Sequence, residues 1–111
     1  MIVVNTESVK PDNHPAVSLK TLFSEEDLDG GRVKFGVITI PPKTRIPLHE
    51  TSCHEEDEYS IVVKGSIITW SNDQEYRLNA GDASLIPAGE AHWAYNDGDE
   101  ECEIVWVLVK R

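Results

Sequence analysis

Cysteine is scarce: Cys53 and Cys102 are the only two in the chain, too few for a disulfide framework and in keeping with thiols held in a reducing compartment. Positive charge is scarce too. Ten lysines and arginines stand against 20 aspartates and glutamates, a formal charge of −10. Such a surface repels phosphate backbones and anionic lipid, which makes nucleic acid and membrane surfaces poor partners. No apolar run is long enough to span a bilayer. The opening MIVVNTESVK has no basic leader and only a short apolar stretch, so it reads as neither signal peptide nor span, and a cytoplasmic protein is expected. Helical periodicity is nearly missing. LFSEEDLDGG could make one turn from an N-cap at Ser24 to a stop at Gly30-Gly31, with only Leu28 available to pack.

What the chain does have is β signal. Its 111 residues, 40% of them hydrophobic, suit one domain with a modest core. RVKFGVITI, Arg32 to Ile40, alternates and is rich in β-branched residues. EYSIVVKG and SIITW meet at Lys64-Gly65-Ser66, which reads as a tight turn between antiparallel strands. EYRLNAGD ends in a second turn at Asn79-Ala80-Gly81-Asp82. ASLIPAGEAHWAYN holds two short strands around Pro87-Ala88-Gly89, and Asn96-Asp97-Gly98-Asp99 is a further turn. CEIVWVLVK, Cys102 to Lys110, closes the chain as a long apolar strand in which Cys102 is a small buried residue. Short strands at roughly ten-residue intervals predict an all-β sandwich or small barrel.

The most specific pattern is GDASLIPAGEAHWAYN, where Gly81, Pro87, Gly89, His92 and Asn96 fall in the spacing G-x5-P-x-G-x2-H-x3-N. Two turns in close succession present the His92 imidazole at the start of a strand, using the missing N–H of proline and the permissive φ of glycine. This spacing resembles the second motif of the cupin superfamily, with all five defining positions present. The likeness covers about Arg32 to Val109. It implies a double-stranded β-helix, or jelly roll, of six to eight strands, with residues 1–31 as a lead-in segment and 32–109 as the barrel of a single domain, 1–111.

The first cupin motif has two histidines one residue apart, then a glutamate, then a glycine seven residues on. Counting back from Gly65 places Glu58 and His54; counting forward from PPKTRIPLHE places His49, with Lys43 where the family usually has glycine. The two counts differ by three residues, so the expected pattern is His49-x4-His54, with Glu50 to Cys53 looping outward to let both imidazoles face in. A rival alignment puts Thr51 and Cys53 at the ligand positions. By resemblance, His49, His54, Glu58 and His92 hold a divalent transition metal, and their donor set suits Fe, Mn, Ni, Zn or Cu better than Ca or Mg. Cys53 could substitute as a ligand or react as a thiol, although a plain loop thiol is the simpler reading.

By alternation, Ser60 and Val62 share the face of Glu58, while Ala94 and Asn96 share that of His92, which suggests a cavity. Tyr59, Trp93 and Tyr95 fall on the opposite face; Glu55, Glu56 and Asp57 read as a solvated lip. Asn96 is expected to hold the turn that follows it. The resemblance implies a metal-dependent enzyme acting on a small organic molecule. Dioxygenase-type oxidation comes first, isomerase or lyase action second, and a non-catalytic small-molecule-binding cupin is the alternative. A homodimer is expected, with the apolar start Ile2-Val3-Val4 as an exchanged strand.

Overall fold

Alternating β-branched and aromatic residues, broken every few positions by glycine, proline or an Asn/Asp pair, leave the chain no long helix to form. A computed structural model describes residues Met1–Arg111. It contains nine strands: β1 (Ser18–Phe23), β2 (Val33–Ile40), β3 (Thr44–Ile46), β4 (Glu56–Lys64), β5 (Ser66–Ser71), β6 (Gln74–Asn79), β7 (Ala83–Ile86), β8 (His92–Asn96) and β9 (Cys102–Lys110). They form two sheets, one in the order β1-β2-β9-β4-β7 and the other β3-β8-β5-β6. Every pairing is antiparallel. This is the expected jelly roll. The strand count exceeds six to eight because the lead-in supplies β1, paired with β2, and the short β3 pairs with β8.

One turn assignment needs correction. Lys64-Gly65-Ser66 does not close a hairpin: β4 pairs with β9 and β7, whereas β5 pairs with β6 and β8 in the other sheet. Gly65 is a corner between sheets. Its φ is +76°, and a Cβ there would sit 2.6 Å from the Glu101 carbonyl oxygen, so both conformation and space demand glycine. The hairpin of that region is β5–β6 instead, turned at Asn72 and Asp73, whose φ values of 50° and 63° suit Asn and Asp. Near Ser24 the chain forms a short 3₁₀ turn, Glu25–Asp27, in which Ser24 and Asp27 cap one another's backbone. Leu28 does not pack: it is 71% exposed.

The core is small. Val17, Ile38, Ile40, Val62, Ile67, Cys102 and Trp106 form one cluster, and full burial of a residue such as Ile67 contributes on the order of 1.5–3 kcal/mol. Only 11 of 111 residues are buried, because the space between the sheets is a cavity rather than a filled interior. Gly36 lies opposite Trp106 on β9. A Cβ at Gly36 would overlap the indole and the Lys20 carbonyl oxygen, so this glycine gives the indole its place against the sheet. Cys102 is fully buried, and loss of hydration pushes its thiol up to about 11. Asn96 is 1% exposed and does hold its turn. Its side-chain amide donates to the carbonyls of Ile40, Pro41 and Glu100, and its oxygen accepts from Gly98 N–H.

Candidate metal centre

His54, Glu58 and His92 converge, with one donor atom from each lying within 4.8 Å of the others. Glu58 belongs to β4 and His92 opens β8, so the cluster joins the two sheets. His54 precedes β4 and is tied in by its carbonyl, which accepts from Gly89 N–H at 2.8 Å. The ring planes of His54 and His92 are inclined by 72°, with centroids 5.0 Å apart.

Backbone carbonyls orient both imidazoles. His54 Nδ1 lies 3.0 Å from the Glu56 carbonyl oxygen, and His92 Nδ1 lies 3.0 Å from that of Glu90. Each Nδ1 must carry its hydrogen to donate there, which leaves the Nε2 lone pair of the neutral ring free. The Glu90 side chain is held in turn by the Ser71 hydroxyl, which donates to Oε2 at 2.5 Å. His54 Nε2 is buried and has no hydrogen-bond partner. The Glu58 carboxylate is 3.5 Å away, near enough for charge to matter but without hydrogen-bond geometry. A buried acceptor nitrogen beside a carboxylate and a second imidazole is satisfied by a cation, so the donor set fits a divalent metal.

His49 is not among the three. It is exposed, with Leu48 and Glu50 beside it. The expected outward loop over Glu50 to Cys53 falls three residues early in the chain. From Thr51 to Glu55 burial already alternates, with Ser52 and His54 turned inward and Thr51, Cys53 and Glu55 exposed. Ser52 makes two backbone hydrogen bonds with His92, its N–H to the His92 oxygen at 2.8 Å and the reverse at 2.9 Å. Residues two apart on an extended chain share a face, so Ser52 takes the inward place expected for a histidine. The surplus residues are turned out before it: Glu50 has φ 64°, and the Arg45 guanidinium donates to the carbonyls of Pro47 and Glu50. Thr51 and Cys53 are both exposed, which removes the rival ligand pair.

The supposed acidic lip is also only partly solvent. Asp57 accepts from the Ala88 N–H at 2.8 Å and from Arg111 Nε at 3.0 Å. The Ala88 amide first, then the Arg111 guanidinium, holds its carboxyl below the ordinary 3.8. Asp57 thereby pins the Pro87–Gly89 turn that leads to His92.

The centre opens into a cavity of about 320 Å³ whose lining is mainly apolar, including Ile38, Val62, Ile67 and Ile104, the size and character of a small-molecule site. Ser60 and Ala94 line it as alternation predicts. Trp93 lies on the outer face, stacked on Trp70 at 6.3 Å with the Arg45 guanidinium 5.1 Å from its ring. Among the lining residues that the sequence did not place here are Trp106 and His14. Trp106 was readable by counting inward positions from Cys102. His14 had no such signal, because it sits in an aperiodic polar lead-in; its Nδ1 accepts the N–H groups of Ala16 and Val17 at 3.1 and 3.3 Å, so its hydrogen is on Nε2.

Two interlocked motifs, paired imidazoles and a carboxylate at the mouth of an antiparallel barrel define a cupin-type centre. The cupin-domain family model matches residues 36–108, and the chain belongs to that family. It is 28% identical to a putative germin-like protein 9-2 of Oryza sativa subsp. japonica, over 88% of this chain and 47% of the relative. It is 29% identical to auxin-binding protein T85 of Nicotiana tabacum, over 66% of this chain and 43% of the relative. The chain thus spans less than half the length of either plant protein. Among solved structures it resembles a predicted oxalate decarboxylase of Thermotoga maritima (TM-score 0.86, 22% identity, covering 99% of this chain and 100% of that one). It also resembles an RmlC-like cupin of Shewanella frigidimarina (TM-score 0.78, 15% identity, 97% and 89%). These structural likenesses carry the fold.

Proposed function

We propose that this cupin is a mononuclear metal enzyme acting on a small organic substrate, with His54, Glu58 and His92 as the ligands. The observation that carries the reading is the buried, unpartnered Nε2 of His54 beside the Glu58 carboxylate. Three ligands replace the four suggested by resemblance, since His49 lies outside the cluster. Two imidazoles and one carboxylate are the donor set of non-haem iron oxygenases. A bound metal of that type would supply redox or Lewis-acid chemistry at open coordination positions.

The chain's own residues supply the remainder. The carbonyls of Glu56 and Glu90 hold both imidazoles in one tautomer. The apolar walls exclude water and receive the body of a substrate. Oxidation of that substrate by dioxygen is the favoured reaction. The chain is further proposed to act in the cytoplasm, where its free thiols stay reduced, and as a homodimer. Tyr59, Ile61, Val63 and Leu85 are exposed on the outer face of the larger sheet and would bury well against a second copy.

Elemental analysis of protein purified without added metal tests the centre, and oxygen uptake by the Fe(II)-loaded protein across a panel of small organic acids tests the reaction. About one metal per chain, lost in His54→Ala and His92→Ala, is expected. Metal without turnover on any acid would shift the reading to a small-molecule-binding cupin; a folded protein that takes up no metal would end the metal reading.

A further inference from the structure

One polar row in the cavity lies apart from the metal ligands. Trp106 on β9 pairs with Ser60 on β4, which pairs with Ser84 on β7. All three side chains line the cavity. Trp106 is 9% exposed, and its indole N–H is buried with no acceptor on the protein. The Ser60 and Ser84 hydroxyls are 2.9 Å apart, so one donates to the other and a single O–H remains for a ligand. An unmade hydrogen bond at a buried N–H costs about 1–3 kcal/mol. This row therefore offers donors and asks for an acceptor.

The next inward row is Leu108, Glu58 and Ile86. It lies two residues along the strands, about 7 Å away at roughly 3.3–3.4 Å per residue. The two polar ends of the cavity differ in charge. At one end a divalent metal and the Glu58 carboxylate would leave a net single positive charge, which one anionic oxygen neutralises. At the other there is no compensating cation, because no lysine or arginine lines the cavity. A second carboxylate or a phosphate would be desolvated there without a partner, at high cost.

We infer that the Trp106 indole N–H is a binding station for an uncharged carbonyl oxygen, with the Ser60–Ser84 hydroxyl pair as a second donor farther across the same wall. The ligand is then a small monoanion of keto-acid type, with an apolar body between a neutral carbonyl and its anionic group. The carbonyl station uses only the chain's own residues. The anionic end rests on the metal reading proposed above.

The test compares 4-acetylbenzoate, 4-ethylbenzoate and terephthalate on zinc-loaded, ¹⁵N-labelled protein. Titration calorimetry gives affinities, and the Trp106 indole N–H resonance is assigned by its loss in Trp106→Phe. The acetyl compound is expected to bind up to about tenfold more tightly than the ethyl one, the range of a single hydrogen bond, and alone to shift the indole resonance downfield. Terephthalate should bind more weakly than the acetyl compound. Trp106→Phe and Ser60→Ala/Ser84→Ala should keep one zinc per chain yet reduce the acetyl preference. Equal affinity for acetyl and ethyl probes in the unaltered protein, or an unmoved indole resonance, overturns the station; tighter terephthalate binding overturns the monoanion assignment. If the protein takes up no zinc, the metal reading falls alone. Acetophenone against ethylbenzene in chelated protein then decides the station, by whether acetophenone moves the indole resonance and ethylbenzene does not.

Discussion

The backbone N–H of Gly89 donates to the carbonyl oxygen of His54 at 2.8 Å, and through this bond the turn that delivers one histidine grips the residue bearing the other. Three neighbouring links repeat the arrangement: the two-way backbone pairing of Ser52 with His92, and the Asp57 carboxylate on the Ala88 N–H. The centre is thus positioned largely by backbone. Its geometry should survive truncation of a ligand side chain, which makes ligand deletion a clean test of metal affinity.

His54→Ala, Glu58→Ala and His92→Ala should each weaken metal binding by more than the ~10–100-fold typical of losing a residue that only supports a ligand. His49→Ala should keep full affinity, as an exposed residue outside the cluster. Competition against a chromophoric chelator measures all four, and a large loss in His49→Ala would restore the four-ligand site.

Chelation at neutral pH should lower the melting temperature. A ligand present at a hundred times its dissociation constant stabilises the folded state by about 2.7 kcal/mol, or roughly 10 °C for a domain of this size. Scanning calorimetry with and without chelator reads the shift, and none is expected in His54→Ala.

Asp57→Asn should lower the melting temperature at pH 7. The Asp57 carboxyl is held below its ordinary 3.8 by the Ala88 amide and Arg111. A depressed carboxyl stabilises the folded state fully above its unfolded value, and that contribution disappears as pH falls through the lower folded value. The difference between the variant and the original protein should therefore persist from pH 7 to about 4 and close below it. A gap independent of pH down to 2 would contradict this.

Lys43 sits at φ 55° where the cupin pattern usually has glycine. Left-handed backbone costs a non-glycine residue about 1–2 kcal/mol, whereas the exposed Lys43–Asp99 pair at 3.6 Å contributes little. Lys43→Gly should raise the melting temperature by a few degrees; a fall would show that the lysine's bond to the Asp97 carbonyl matters more than the backbone conformation.

Gly36→Ala should destabilise the fold by about 1–3 kcal/mol or more, the usual cost of overpacking. The added methyl would overlap both the Trp106 ring and the Lys20 carbonyl. Denaturant unfolding gives the energy, and a change in tryptophan fluorescence should report the displaced indole.

Strand content and the inward positions of Glu58, Ser60 and Val62 were legible because alternation is a local property of an extended chain. The second motif was legible for a similar reason: Gly81, Pro87 and Gly89 set backbone angles that need no distant partner. The sequence by itself, through its motifs, thus pointed to an all-β jelly roll, the inward faces of the Glu58 and His92 strands and the place of His92. It also located His54 and Glu58, by counting from Gly65. Pairing was another matter. Gly65 looked like a hairpin turn, since its φ is the same whether the next strand folds back or crosses to the facing sheet. Only the packing of β4 between β9 and β7 decided that it crosses. His49 looked like a ligand because counting forward from PPKTRIPLHE lands on it. Its place was decided by the Ser52–His92 pairing, which fixes the register that makes Ser52, and not His49, face the cavity. His14 and Trp106, 92 positions apart in sequence, meet the same cavity because β1 docks the lead-in beside β2, whose other neighbour is β9. Long-range hydrogen-bond register and the closing of one sheet over another are relations between segments, and no single segment carries them.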